Sequence, residues 1–288
     1  MQDNKILVIG ATGMRGNAVY RYLSEQEGLS VFGTLRSPGD CKYFPVTIQT
    51  HLLPSVDLLN HEDIIRVLKH VRPSVVINCV GLIKQLSNAE DPLIALPINA
   101  MLPHRLAELT DLMNARLIHI STDCVFSGAK GFYTETDISD ATDLYGISKK
   151  IGEVVHSSHV VTLRTSIIGR ELNSKLALID WFLSQTQEVK GFTRAIFSGL
   201  PTVELAKIIH EYIIPNADLH GLYHVSSEPI DKYTLLSLVA DVFSKETSIV
   251  PDETLQINRS LDSSLFSKIT GYVPPSWRDL IINMKHFG

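Results

Sequence analysis

The chain has 288 residues, of which 44% are hydrophobic and 20% charged, and a net charge of −5. Such a length buries one large core or two modest ones, and the mild acidity excludes a general nucleic-acid binder, whose surface is basic. Cys41, Cys79 and Cys124 stand far apart with no Cys-x-x-Cys pair, which excludes a disulfide framework or a cysteine zinc site and predicts reduced thiols. No uncharged apolar run reaches the roughly 18 residues of a membrane helix, and the first residues lack the apolar stretch of a signal peptide. A soluble cytoplasmic protein, with no membrane or nucleic-acid partner, is expected.

In chain order, Lys5–Ile9 reads as a buried strand, residues 14–23 as a helix and 31–35 as a second strand. A third short strand is expected within 50–56. The spacing of Ile64, Ile65, Val67, Leu68 and Val71 predicts a helix over 62–71, with Asn60 or His61 near its start. Residues 75–80, apolar but for Asn78, read as a strand covered on both faces. A helix within 97–113, a strand at 116–121, a helix at 144–155 and a strand at 160–165 follow. This alternation predicts an α/β fold, a Rossmann-type doubly wound parallel sheet over residues 1–165. Helices at 175–185, 202–214, 232–245 and 277–284, with short strands such as 222–225, predict a smaller substrate-binding region over 166–288. That region is expected to be partly folded back on the first. No low-complexity linker and no internal repeat separates them.

Gly10-Ala11-Thr12-Gly13-Met14-Arg15-Gly16 directly follows the first strand and opens the first helix. Glycines there let a pyrophosphate approach the backbone, and the helix N-terminus offers unpaired N–H groups. The acid expected roughly 20 residues on for the ribose hydroxyls of NAD is missing; Arg36 stands in its place. A guanidinium suits a 2′-phosphate, with Arg15 as a second contact. The pattern favours NADP(H), against a reading of Arg36 as a solvated loop residue with Asp40 as the nearby acid.

Tyr145 and Lys149 are four apart on a predicted helix and project from one face. An ammonium beside a phenol favours its ionised form, so this tyrosine can pass a proton to a carbonyl oxygen as hydride arrives. Such a pair alone is common on solvated helices. It gains meaning from Ser121 and Thr122, whose hydroxyls follow the carboxyl end of the preceding strand, where open α/β sheets bind ligands. Either hydroxyl can bond a substrate oxygen there.

The sequence resembles the extended short-chain dehydrogenase/reductases and, within them, the dTDP-4-dehydrorhamnose reductase-like family. The likeness rests on Ser121-Thr-Asp-Cys-Val-Phe-Ser-Gly128, Leu163-Arg-Thr-Ser166, Ser198-Gly-Leu-Pro-Thr202, Leu261-Asp-Ser-Ser264 and Pro275-Ser-Trp-Arg278, in the family's order and across nearly the whole chain. It implies NADPH-dependent reduction of a 4-keto group on a nucleotide-activated 6-deoxysugar, in polysaccharide biosynthesis. By resemblance Thr122 donates to the substrate oxygen, Tyr145 is the proton donor and Lys149 its electrostatic partner. Asn99 supports the active-site geometry, Asp57-Leu58 lies on the adenine side, and Cys79-Val80-Gly81 is the strand end beside the cofactor. On the substrate side it implies Asp123, Cys124, Arg164, Gly199 and Pro201. Lys84 is either a contact to diphosphate or sugar, or an exposed loop lysine. A homodimer is compatible with this reading, and no metal site is implied.

Cys124 departs from the tyrosine that the rhamnose reductases commonly carry, and the run from Asn78 to Gln85 departs from their pattern too. The particular sugar and nucleotide therefore stay open. Two alternatives remain. A thiolate at Cys124 could exchange an α-proton, giving an epimerase-reductase, although residues 169–184 contain no partner histidine. The chain could instead be a non-catalytic NADP-binding regulatory subunit, since the regulatory subunit of methionine adenosyltransferase resembles the same reductases. His210-Glu211 has no second histidine at the helical spacing of a zinc site. Trp181 and Phe182 read as core aromatics or as walls of a substrate pocket.

Overall fold

The run Lys-Ile-Leu-Val-Ile has no polar alternation to offer water, and four of its five residues are buried in strand β1 (Lys5–Ile9). The structure is a computed structural model that describes residues 4–82, 90–172 and 174–288. After β1 come α1 (Met14–Ser24), β2 (Ser30–Thr34), β3 (Leu52–Leu53), α2 (His61–Val71), β4 (Val75–Asn78), α3 (Pro92–Ala95), α4 (Leu102–Leu112), β5 (Arg116–Ile120), α5 (Leu144–Ile151) and β6 (Val160–Arg164). The strand Gly221–His224 (β7) completes a seven-stranded sheet of order β7-β6-β5-β4-β1-β2-β3. β1 pairs in parallel with β2 and β4, β2 with β3, β4 with β5, and β5 with β6. The order reverses between β1 and β4, and a doubly wound sheet opens its ligand crevice at the carboxyl ends of such strands.

By its contacts the chain forms two compact units. The first takes the chain up to Ser121, then Asp143–Leu163 and Ala206–Leu222; the second takes Thr122–Thr142, Arg164–Leu205 and Tyr223–Gly288. The first unit packs Leu7, Ile9 and Val76 of the sheet against Ile64, Val67 and Leu68 of α2 and Leu102 and Leu106 of α4. Of the spacing that predicted the helix over 62–71, Ile64, Val67, Leu68 and Val71 form the stripe that α2 buries, while Ile65 is exposed. Asn60 caps it by accepting from the Glu62 N–H at 3.0 Å.

In the second unit the strand Ala195–Phe197 lies between Ile230–Asp231, antiparallel, and Ile257–Asn258, parallel. Val189–Phe192 pairs with Ile249–Asp252. Phe182, Phe197, Leu235, Val239 and Ile281 share one core with residues from the helices Leu178–Ser184, Lys232–Phe243 and Trp277–Phe287. Phe182 is therefore a core aromatic, while Trp181 is exposed.

The helix expected within 97–113 is longer and irregular. Between α3 and α4 the residues Leu96–Met101 form a π turn, and the Leu102 N–H reaches back five residues to the Pro97 carbonyl. Proline explains the irregularity: Pro97 and Pro103 bring no N–H to the ladder, and the wider turn absorbs the interruption. The third strand, expected within 50–56, is only two residues long. Among the described residues no helix is long and apolar enough to cross a membrane.

Candidate active site

The glycine turn is shaped by contacts that leave no space for side chains. Gly10 has φ +82°, and a Cβ on it would meet Val80 Cγ2 at 2.4 Å; one on Gly16 would meet the Gly10 carbonyl oxygen at 2.0 Å. The turn is fastened to the end of β2, where the Gly10 N–H donates to Thr34 Oγ1 at 2.9 Å and the Ala11 N–H to the Thr34 carbonyl at 3.0 Å. Gly13 is the N-cap of α1 and contributes no capping side chain, and the first turn of α1 carries no acid. Its N–H groups and the positive end of its dipole are left for an anion. This cradle fits a dinucleotide pyrophosphate. Thr12 and Met14 are half-buried on it and Gly13 is exposed.

Arg36 follows β2 and is exposed. Asp57 is exposed too; its Oδ1 accepts from the Leu59 N–H at 3.0 Å, folding a local turn, and Leu58 packs against the first unit's core. At the end of β4 the Cys79 N–H continues the ladder to the Ile9 carbonyl. Cys79 is buried, and burial pushes its thiol up to about 12, so it stays protonated. Val80 donates its N–H to Asn78 Oδ1 at 3.1 Å, and Asn78 Nδ2 sits 3.1 Å from His119 Nδ1. With Asn78 donating, His119 holds its proton on Nε2, a buried atom without a partner among the described residues.

Tyr145 and Lys149 both lie on α5, and the buried face of that helix is tied down at several points. Asn99, from the π turn, accepts from the Leu82 N–H at 2.9 Å and donates to Ser148 Oγ at 3.2 Å; Ser148 in turn donates to the Tyr145 carbonyl at 2.9 Å. One buried amide thus joins the strand end beyond Gly81 to the turn of helix bearing Tyr145. Lys149 is fully buried and donates to the Ile120 carbonyl at 2.8 Å. Burial first, then the Arg15 guanidinium, lower its ammonium to about 7, against a smaller opposing pull from Glu153 and Cys79. Tyr145 remains half-buried.

Ser121 and Thr122 separate by their partners. The Ser121 hydroxyl is buried and donates to Glu153 Oε1 at 2.8 Å, while Lys150 holds the other Glu153 oxygen at 3.0 Å. In the second unit Thr122 caps the turn Asp123–Val125: its Oγ1 accepts from the Cys124 N–H at 3.1 Å and donates to Asp123 Oδ1 at 3.1 Å. Asp123 is buried, which raises its pKa against the opposing pull of Arg259 and Lys232. Cys124 is half-buried, outside the core clusters. Lys232 stands over the Phe197 ring at 4.1 Å, and burial lowers it to about 8 although Asp123 and Cys124 pull it upward. Gly199 gives way to that ring, since a Cβ on it would meet Phe197 Cζ at 2.4 Å. Pro201 is buried in the short strand Leu200–Pro201. Arg164 is buried, with Nη1 3.2 Å from His224 Nε2 and its guanidinium over the Phe126 ring at 5.1 Å. Lys84 lies outside the described residues.

Sequence reasoning missed Thr34, Ser148, Glu153 and Lys232. Ser148 and Glu153 had a legible signal, flanking Lys149 on and just past its helix. Thr34 had none, because its role depends on where β2 ends.

A glycine cradle at the switch point of a doubly wound parallel sheet, with tyrosine and lysine one helical turn apart, is the architecture of the extended short-chain dehydrogenase/reductases. The chain belongs to the family described as the RmlD substrate binding domain, whose sequence model matches residues 4–284. It is 25% identical over 256 residues to a dTDP-4-dehydrorhamnose reductase of Aggregatibacter actinomycetemcomitans, covering 81% of this chain and 87% of that one. It is 24% identical over 266 residues to the methionine adenosyltransferase 2 subunit beta of Rattus norvegicus, covering 85% and 74%. Its fold is similar to a dTDP-4-dehydrorhamnose reductase from Bacillus anthracis solved in complex with NADP, with TM-score 0.79, 22% identity and coverage of 98% and 99%.

Proposed function

We propose that the protein is an NADPH-dependent reductase of the 4-keto group of a nucleotide-activated 6-deoxysugar. The observation that carries the proposal is the Tyr145/Lys149 helix, with its lysine buried and anchored at the end of β5 and its backbone pinned through Ser148 and Asn99. A regulatory protein that only held a dinucleotide would need the glycine cradle and could use the lysine toward the cofactor, but it would not need the tyrosine as a proton donor. The reductases among the relatives and the solved structure with NADP support the same reading.

The residues of the cradle from Gly10 to Gly16 would hold the pyrophosphate and Arg36 the 2′-phosphate; Asp57 and Leu58 lie on the adenine side. When bound, the reduced nicotinamide supplies a hydride to the carbonyl carbon. Tyr145 gives its phenolic proton to the carbonyl oxygen as the carbon–oxygen π pair moves there. Lys149 steadies the phenolate left behind, a charge worth more to it in a buried setting than in water. Thr122 is the further donor to that oxygen, on the family likeness. Asp123, Cys124, Arg164, Gly199 and Pro201 are assigned to the sugar-nucleotide side on the same ground.

The test is to follow NADPH oxidation with dTDP-, UDP- and GDP-linked 4-keto-6-deoxysugars, and to repeat the best with NADH. The proposal expects turnover with at least one sugar nucleotide and a clear preference for NADPH. Tight NADPH binding with no oxidation by any of the three would favour the regulatory reading.

A further inference from the structure

The Arg15 guanidinium reaches Gly81, just past the carboxyl end of β4. Its Nη2 lies 3.3 Å from the place a Cβ on Gly81 would take, and Lys149 Nζ lies 3.8 Å from the same place. Two cationic side chains therefore converge on Gly81, at the end of β4. Arg15 has no hydrogen bond or ion pair among the described residues, and the carboxylate that pulls on Lys149 is Glu153, already bound by Ser121 and Lys150. Arg15 is half-buried, and leaving a guanidinium uncompensated there is costly, so its position asks for a function.

We propose that Arg15 makes the cofactor site discriminate between the two redox forms of the nicotinamide, favouring the reduced form. The proposal rests on the reductase reading above. Hydride and proton must reach the two adjacent atoms of one carbonyl bond, so the ring that supplies the hydride must lie close to Tyr145. That places it close to Lys149, one helical turn along α5, and to the guanidinium that meets Lys149 at Gly81. The oxidised ring carries a positive charge and the reduced ring none. A fixed cation beside it penalises the oxidised form alone, and the penalty is strong where water is scarce. The site then holds NADPH until transfer and sheds NADP+ afterwards. Whatever Arg15 contributes to the phosphates is common to both forms and cancels in the ratio of their affinities.

The experiment measures dissociation constants for NADPH, by fluorescence titration, and for NADP+, by competition, in the wild type and in Arg15→Leu, Arg15→Met and Arg15→Lys. The wild type should prefer NADPH by about tenfold or more, the scale expected for one screened charge pair in a partly buried site. Arg15→Leu and Arg15→Met should lose most of that preference, chiefly by binding NADP+ relatively better, and Arg15→Lys should keep it. Two neutral variants guard against one failing to fold. A ratio unchanged in the neutral variants overturns the proposal while leaving the reductase reading intact. Absence of binding by either cofactor to the wild type overturns both.

Discussion

Under the proposed mechanism Lys149 supports the phenolate, and its environment predicts how activity should depend on pH. Burial and Arg15 lower its ammonium to about 7, so a cation that stays charged to high pH on a surface is half lost near neutrality here. If the protonated form supports the Tyr145 phenolate, kcat/KM for NADPH, which reports the free protein, falls as pH rises through about 7. Replacing Arg15 by leucine removes a neighbouring positive charge and makes the ammonium easier to keep, so the fall should move to higher pH. The shift will be partial, because burial is the larger cause. A limb that stays put in Arg15→Leu would separate the two cations energetically and contradict this account of Lys149.

At the scale of elements, the cofactor side depends on backbone approaches that only glycine allows. Gly152 ends α5, and a Cβ on it would stand 2.0 Å from the Asn99 carbonyl oxygen in the π turn. That oxygen is the acceptor an α-helix would give to residue 103, and residue 103 is proline. Gly152→Ala should force α5 and the π turn apart, costing on the order of 1–3 kcal/mol in unfolding measurements and loosening the Asn99 bonds to Leu82 and Ser148. Unchanged stability in that variant would mean the two helices are not in tight register. Much of this unit was legible in the sequence. β1 and β4 carry short apolar runs, Ile6 to Ile9 and Val75 to Ile77, β5 and β6 are mostly apolar, α2 has an apolar stripe, and the glycine turn sits where a strand meets a helix. The π turn was not legible, since apolar spacing around Pro97 and Pro103 continues as though the helix were regular. Strands of two residues, such as Ile167–Ile168 and Ile230–Asp231, were out of reach because no alternation can be read from a pair. Within the candidate site, spacing placed Tyr145 and Lys149 on one helix because their relation is local. It could not find that Arg15 turns to Gly81, or that Lys232 stands over Phe197, because those relations come from elements far apart in sequence.

Over the whole molecule the net charge is −5, and carboxylates held in local pairs contribute to stability toward acid. In the second unit Asp137 binds Lys130 Nζ at 2.6 Å and the Thr134 N–H at 2.7 Å, and these bonds lower its carboxyl to about 2. A carboxyl lowered in the folded state stabilises above its ordinary value of 3.8 and loses that contribution as pH falls toward about 2. Asp137→Asn should therefore show a lower Tm than wild type at pH 6 and a smaller difference at pH 3; a constant difference would mean that the bonds, and not the charge, carry the effect.

The same chain is similar to reductases and to methionine adenosyltransferase beta subunits, and the fold alone does not choose between catalysis and regulation. The choice rests on Tyr145. The most direct measurement compares wild type and Tyr145→Phe for NADPH binding and for single-turnover NADPH oxidation with the accepted 4-keto sugar nucleotide. The account predicts that the variant binds NADPH within about threefold of wild type and that oxidation slows by on the order of 10²-fold or more, the scale of a lost general acid. Oxidation at the wild-type rate by Tyr145→Phe would contradict it.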